Sequence, residues 1–365
     1  MIGNLKMADF YDWHKTLSYN ADVTMVIGAR GIGKTYGLRK QCINDFIKKG
    51  WRFVEVCRFK KELSTVADGY FERLGKDVDF SDYIFRTDTR YMYIAENPND
   101  AKDDKGKPIK PKWHVMGYFF ALTEGQQQKK RTFENVRRII YDEAVLERTD
   151  RFHRYLPNEF IALANCVDTV SRERADTDQT KPSVYLLGNA CDIANPFFQR
   201  YNVGTDLQFG YRWYEGKTFL LHYVKDDEYA KEKMEGTVAG RMLSLGEGGA
   251  VASLNEFQTM NYEYVMKKPK RAKFSFGIVC NGKKYGIWID HTEGFVYVTH
   301  SIPNGMDGKT YSLTASDSRV NYIMANKLSK VMQSFANMYW AGIVFYDDLQ
   351  TKMDFQEILA MFGVK

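Results

Sequence analysis

The sequence predicts an α/β protein whose first domain has a central, mostly parallel sheet and whose second is a smaller α+β domain. Three observations lead there. Gly28, Ala29, Arg30, Gly31, Ile32, Gly33, Lys34 and Thr35 form a complete GxxxxGK[ST] loop directly after an apolar run, the strand–loop–helix setting of a phosphate-binding loop. A second apolar run ends in Asp142 and Glu143. Residues 274–299 then alternate apolar and polar side chains over three short stretches, a meander that needs its own core.

Taken in order, Met25, Val26 and Ile27 read as a short buried strand, and residues 36–49 have helical spacing with Gly50 as the stop. Residues 51–59, rich in Phe, Val and Trp, read as the next strand, so 25–59 is one βαβ unit with parallel strands. Short strands follow at 83–85, 90–95 and 113–122. Between the last two, residues 96–112 hold Asn-Pro, Asp-Asp-Lys-Gly and two more prolines, the composition of an exposed hairpin loop. Residues 138–141 form the strand before Asp142. Arg137 and Arg138 at its start are unusual for a central strand, which predicts either a short strand or an edge position for Arg138.

Helical periodicity covers 156–174, a buried strand at 183–187 ends at Gly188-Asn189, and 225–254 turns charged and then glycine-rich, as a helical connector does. Beyond it, 274–280, 284–290 and 294–299 read as strands with Asn281-Gly282 as a hairpin turn, and 319–339 as a helix. Domains are therefore expected at 1–225 and 259–365, with 226–258 as the linker.

A chain of 365 residues accommodates about two domains. The apolar share of 44% and charged share of 27% are ordinary for a globular protein and argue against wholesale disorder or a fibrous repeat. No stretch is apolar over the roughly 18 residues of a membrane span, and the first residues lack a signal-peptide core; a soluble, intracellular protein is expected. Cys42, Cys57, Cys166, Cys191 and Cys280 stand far apart with no CxxC pair, which favours buried thiols over disulfides or zinc. With 52 basic and 46 acidic residues, the net charge of +6 is too mild to diagnose nucleic-acid binding by itself.

The loop points to specific chemistry. Its glycines let backbone N–H groups wrap phosphates, Lys34 reaches the β- and γ-phosphates, and Thr35 binds magnesium, so ATP and Mg2+ are the expected ligands. Asp142 would position the magnesium and Glu143 polarise the attacking water; two carboxylates after a strand are also a common helix start. Asn189 ends a strand expected beside that of Asp142, and is a candidate γ-phosphate sensor or a turn residue. Arg172 and Arg174 are candidates for an arginine that stabilises the transferred phosphate in a neighbouring subunit, or for a solvated helix end.

DNA contacts have three candidate clusters: Lys102, Lys105, Lys107, Lys110 and Lys112; Lys129, Lys130 and Arg131; and Lys267, Lys268, Lys270, Arg271 and Lys273. Asp100, Asp103 and Asp104 offset the first, so the second is favoured, solvated surface being the plainer reading of all three.

Val26-Ile27-Gly28-Ala29-Arg30-Gly31-Ile32-Gly33-Lys34, Asp168-Thr169-Val170-Ser171-Arg172, and Asn189 with Asn195-Pro196-Phe197-Phe198 together resemble the DNA-packaging ATPases of phi-twenty-nine-like tailed phages. Phe10-Tyr11, Leu17-Ser18-Tyr19, Phe274-Ser275-Phe276 and Tyr285-Gly286-Ile287-Trp288-Ile289-Asp290 fit the same pattern, so the resemblance spans nearly the whole chain. It implies a terminase-like motor: an additional-strand, conserved-glutamate (ASCE) P-loop ATPase domain joined to a degenerate RNase H-like domain. Such motors assemble as a homo-oligomeric ring, here implied to be a pentamer, on the portal of an empty procapsid, where ATP hydrolysis drives double-stranded DNA inward. The implied location is the host cytoplasm, transiently at the portal vertex, and a structural packaging RNA is allowed as a further partner.

By position, the resemblance makes Arg172 the finger acting in trans and gives Lys60 and Lys129 a reach toward a neighbour's nucleotide. Phe276-Gly277-Ile278-Val279-Cys280-Asn281 carries no carboxylate where terminase nucleases place the first of several metal ligands, and Asp290 alone cannot hold two metals. The second domain is therefore expected to bind DNA without cutting it. The long 96–112 hairpin and the arginines before Asp142 depart from the family pattern. A DNA helicase or recombination ATPase is one competing reading; another is a nucleotide-gated DNA-binding protein with little hydrolysis, against which Glu143 argues.

Overall fold

The computed structural model describes residues 11–99, 102, 107–146, 155–156, 158–172, 181–190, 193, 195–204, 207–225, 264–326 and 328–361. They fall into two units, Met1–Cys191 with Gln208–Glu256, and Asp192–Leu207 with Phe257–Lys365. The second unit thus takes in a segment well before the expected boundary near residue 225. The linker expected at 226–258 lies outside the described residues. No helix among the described residues is long and apolar enough to cross a membrane.

In the first unit, α1 (Trp13–Ser18) is capped by the Asp12 carboxylate, which accepts from the His14 N–H at 2.8 Å. After it come β1 (Val23–Gly28), α2 (Lys34–Lys49) and β2 (Arg52–Cys57), the βαβ unit that the sequence predicts. Gly50 closes α2 at φ 67°, and its N–H donates to Phe46 O at 2.8 Å; a residue with a Cβ would be strained there. The chain continues through α3 (Glu62–Gly69), β3 (Tyr83–Thr87), β4 (Tyr91–Glu96), β5 (His114–Ala121), α4 (Gly125–Gln128), β6 (Val136–Val145), α5 (Glu159–Ser171) and β7 (Ser183–Asn189). It ends with β8 (Gly210–Tyr214) and β9 (Phe219–Tyr223).

These strands make one sheet in the order β3-β4-β5-β2-β6-β7-β1-β9-β8. The six from β5 to β9 run parallel, with antiparallel β3, β4 and β8 at the margins. β7 lies between β1 and β6, so an additional strand separates the P-loop strand from that of Asp142, as the ASCE expectation requires. The antiparallel pairing of β4 with β5 and an antiparallel bridge between Lys102 and Pro108 agree with the hairpin expected over 96–112, of which residues 100, 101 and 103–106 lie outside the described residues. Trp13, Val26, Leu38, Ile43, Phe53, Phe119, Ile140 and Leu187 belong to the core that α2 and α3 close over this sheet.

Two sequence expectations are corrected here. β6 is neither short nor at an edge: it has ten residues and pairs with strands on both sides. Arg138 is accommodated in this central strand because its guanidinium forms an ion pair with the buried Asp45 of α2, and Arg137 lies 5.6 Å from the Trp51 ring. Burial pushes the Asp45 carboxyl up, but Arg138, with Lys49 and Gln41, outweighs it and holds the group below its ordinary range.

The second correction concerns 319–339. Helix α7, in the second unit, spans Lys330–Trp340; the residues before it hold a short strand. The Asn326 side chain accepts from Leu328 N at 2.9 Å and the Ser329 hydroxyl accepts from Asn326 N at 3.0 Å, local bonds that compete with helix formation.

The second unit begins with α6 (Pro196–Arg200), capped by Asn195, whose side chain accepts from Phe198 N at 3.0 Å. Its sheet contains β10 (Lys273–Cys280), β11 (Lys283–Asp290), β12 (Phe295–Thr299), β13 (Thr310–Ser312), β14 (Ile323–Met324) and β15 (Val344–Tyr346). The order is β14-β13-β10-β11-β12-β15: an antiparallel meander of β10 to β12, with β13 and β14 parallel on one side and β15 on the other. Met332 and Phe335 of α7 and Phe355, Ile358 and Leu359 of α8 (Leu349–Met361) cover it, packed on Ile278, Tyr285, Ile287 and Val298.

Candidate active site

The P-loop leaves the C-terminal end of β1 and enters the first turn of α2. Gly31 and Gly33 have φ values of 97° and 83°, which a side chain would oppose, and a glycine turn that runs into a helix N-terminus is suited to offer backbone N–H groups to phosphate. The N-terminal segment braces it from outside. Tyr11 N donates to Ile32 O at 2.9 Å, and Trp13 Nε1 donates to Lys34 O at 2.9 Å. Trp13 packs so close to α2 that a Cβ on Gly37 would meet Trp13 Cδ1 at 2.8 Å.

Inside the loop, Lys34 is buried, and its Nζ donates to Gly28 O at 3.0 Å, Ala29 O at 2.8 Å and Asn189 Oδ1 at 3.3 Å. Asn189 reaches this position because β7 pairs in register with β1, placing it opposite Gly28. Thr35 Oγ1 donates to Asp142 Oδ1 at 3.1 Å. Lys34, Thr35, Asp142 and Asn189, four predicted site residues from three elements, therefore converge on one locus; Ile32 is buried beneath it and Arg30 is exposed.

Glu143 follows Asp142 where the pairing of β6 with β7 breaks between Tyr141 and Val145. Its φ is 52°, the left-handed region. Both ends of this unusual conformation are held: Glu143 N donates to Asp142 Oδ1 at 3.0 Å, and Arg58 Nη2 donates to Glu143 O at 3.2 Å. Partial desolvation and then the Asp142 charge raise the Glu143 carboxyl above its ordinary value, with Arg30 and Arg58 opposing. A carboxylate so shifted is a better proton acceptor for water than an ordinary one.

Sequence reasoning did not single out Arg58, which lies at the end of β2. Its guanidinium also donates to both carboxylate oxygens of buried Glu159, at 2.8 and 2.9 Å; Tyr141 OH and Leu156 N donate to the same carboxylate at 2.7 and 2.8 Å. Arg39, Glu55 and Tyr70 were likewise not predicted. The available signal was a charge inside otherwise apolar strand sequence, Glu55 and Arg58 within residues 51–59.

The remaining candidates pair elsewhere. Arg172 is exposed at the end of α5, 3.6 Å from Asp168 Oδ2, and Arg174 lies outside the described residues. Lys60 Nζ is 2.7 Å from Glu124 Oε1. Lys129 and Lys130 are exposed just past α4, whereas the Arg131 guanidinium donates to Phe119 O, Gln128 Oε1 and Arg90 O and lies against Tyr91 and Phe133. In the second unit, Lys268 sits 4.3 Å from the Trp288 ring and Arg271 is bonded to Asp290 at 2.7 Å.

Residues 5–361 match the family described as Podovirus DNA encapsidation protein (Gp16). The chain belongs to this family. Among relatives of this encapsidation family, the DNA packaging proteins of Bacillus phage PZA and Bacillus phage phi29 are each 31% identical over 337 residues, covering 90% of this chain and 92% of their own. The bacteriophage Phi-29 viral genome packaging motor assembly matches at a TM-score of 0.64 and 27% identity, over 97% of this chain and 98% of that one. The Phi-28 gp11 DNA packaging motor matches at a TM-score of 0.69 and 17% identity, over 98% and 99%, a likeness of fold.

Magnesium is implied by the P-loop, and the donor set fits it. The Thr35 hydroxyl and the Asp142 carboxylate are hard oxygen donors within hydrogen-bonding distance of each other, beside a helix N-terminus suited to phosphate.

Proposed function

We propose that this encapsidation-family chain is an ATP-driven subunit of a ring motor that translocates double-stranded viral DNA into a procapsid through its portal. The convergence of Lys34, Thr35, Asp142 and Asn189, with Glu143 held beside them, carries the reading. Lys34 would exchange its loop carbonyls for phosphate oxygens, Thr35 and Asp142 would hold the magnesium, and Glu143 would take the proton of the attacking water. Bound magnesium would neutralise charge on the phosphates.

Arg172, exposed at the end of α5, is the residue proposed to complete a neighbour's site, with Lys60, Lys129, Lys130, Arg131 and Arg174 as further contacts in trans or to DNA. The relatives named as DNA packaging proteins and motor assemblies support portal, DNA and ring as partners; a pentamer and a structural RNA belong to the same proposal. The second unit is proposed to bind without cutting. In support, the buried carboxylate of Asp290 is engaged by Arg271, which holds it below its ordinary range.

The test is DNA-stimulated ATPase activity. Lys34→Ala should lose nucleotide binding and hydrolysis; Glu143→Gln should keep binding and lose hydrolysis, since the hydrolytic step alone needs that carboxylate. Wild-type turnover in both variants would remove the assignment.

A further inference from the structure

Three side chains that the proposed chemistry leaves unused form a cluster that reaches its metal ligand through Arg39. Arg39 lies on α2 four residues beyond Thr35, hence on the same helix face, and its Nη2 is 3.8 Å from Asp142 Oδ2. The same Nη2 forms an ion pair with Glu55, which is 1% exposed. The other Glu55 oxygen accepts from Tyr70 OH at 2.8 Å, and the Tyr70 ring lies under the Arg39 guanidinium at 4.2 Å. The guanidinium is thus fixed by a carboxylate at one edge and an aromatic face below.

Fold stability does not account for this arrangement. Glu55 is in register with buried Phe119 and Ile140 on its two neighbouring strands, an apolar layer where a hydrophobic side chain would serve at least as well as an ion pair. Nor is the fork fully satisfied: Arg39 Nε is buried and donates to no acceptor. The cluster has instead one well-placed product, a cation held at Asp142 Oδ2 while Thr35 and the Glu143 N–H occupy Oδ1.

We infer that Arg39, anchored by Glu55 and Tyr70, is a positioning residue that orients the Asp142 carboxylate for the magnesium of a bound nucleotide. The inference rests on the reading of Thr35 and Asp142 as the magnesium residues. Groups behind a metal ligand restrict its rotation, and their loss typically weakens metal binding about 10–100-fold.

The experiment titrates Mg2+ into full-length protein with a fluorescent ADP and compares wild type, Asp142→Asn, Arg39→Lys and the double variant Arg39→Met with Glu55→Gln. The double variant removes both charges together and so avoids leaving Glu55 buried without its partner, and circular dichroism checks that it folds. The expected result is a Mg2+ half-saturation raised about tenfold or more in the double variant, with metal-free ADP affinity unchanged, and a smaller shift in Arg39→Lys. A folded double variant with the wild-type Mg2+ dependence overturns the role of Arg39 if Asp142→Asn does shift it. If Asp142→Asn shifts nothing either, the magnesium reading fails and the inference with it.

Discussion

Arg58 and Glu159 face each other through two hydrogen bonds, 2.8 and 2.9 Å long, with the arginine side chain 4% exposed and the glutamate 0%. Breaking such a pair from one side leaves a charge buried without a partner. Glu159→Ala and Arg58→Ala should each lower stability by about 3–5 kcal/mol. The paired change Arg58→Met with Glu159→Gln should cost much less than the sum. Denaturant midpoints would measure this, and additive losses would contradict a coupled pair.

Asp45 and Arg138 tie α2 to the middle of the sheet. The folded carboxyl is depressed, so its stabilisation is complete above the unfolded value of about 3.9 and fades as pH falls through the lower folded value. Asp45→Asn should therefore destabilise the protein by about 3 kcal/mol at neutral pH and converge on wild type in acid. A penalty independent of pH would show that packing, not charge, is what Asp45 contributes.

His222 behaves oppositely to a histidine that gains a partner. Its ring stacks on Tyr211 with centroids 3.7 Å apart and its Nδ1 is 2.6 Å from Tyr11 OH; burial and then Lys15 lower its pKa to about 4. Stability carried by the neutral ring is present above about 6.5 and lost as pH falls toward 4. His222→Gln should flatten the acid limb of the stability profile by about 1–2 kcal/mol, after allowance for the ring's partial exposure.

Gly37 inverts an ordinary rule. Glycine to alanine inside a helix usually stabilises by up to about 1 kcal/mol, but here the new Cβ meets Trp13, whose ring is locked in the core. Gly37→Ala should instead cost about 1–3 kcal/mol and weaken nucleotide binding, since Trp13 also bonds the Lys34 carbonyl. A stabilised variant would show that Trp13 can move freely.

Mixing subunits tests the ring. Arg172→Ala and Glu143→Gln chains, each inactive, should regain part of the DNA-stimulated hydrolysis together, because some interfaces then combine an intact Arg172 with an intact Glu143. No recovery in a mixed complex of confirmed composition would place Arg172 outside the neighbour's site.

What could be read in advance follows physical range. The P-loop and Asp142-Glu143 are local patterns whose chemistry demands adjacent residues, so they stand out in the chain. Arg138 stood out only as a charge that looked misplaced, because Asp45, which neutralises it, lies in another element. Arg58, Arg39 and Glu55 share that problem, each acquiring its role from partners brought together by strand order. The residues before α7 show the reverse: the helix expected from 319 starts only at Lys330, because the short side chains of Asn326 and Ser329 accept from nearby backbone N–H groups.

The chain passes from one unit to the other three times, at 191–192, 207–208 and 256–257. Neither unit is therefore a single stretch of gene product. Dividing the chain at 256–257 severs one of these passages but leaves α6 inside the second unit, where Gln199 Nε2 donates to Met353 O at 2.6 Å and Phe197 and Phe198 are wholly buried. The two fragments should then copurify rather than part, and a clone starting at residue 226 would express the second unit with a helix missing.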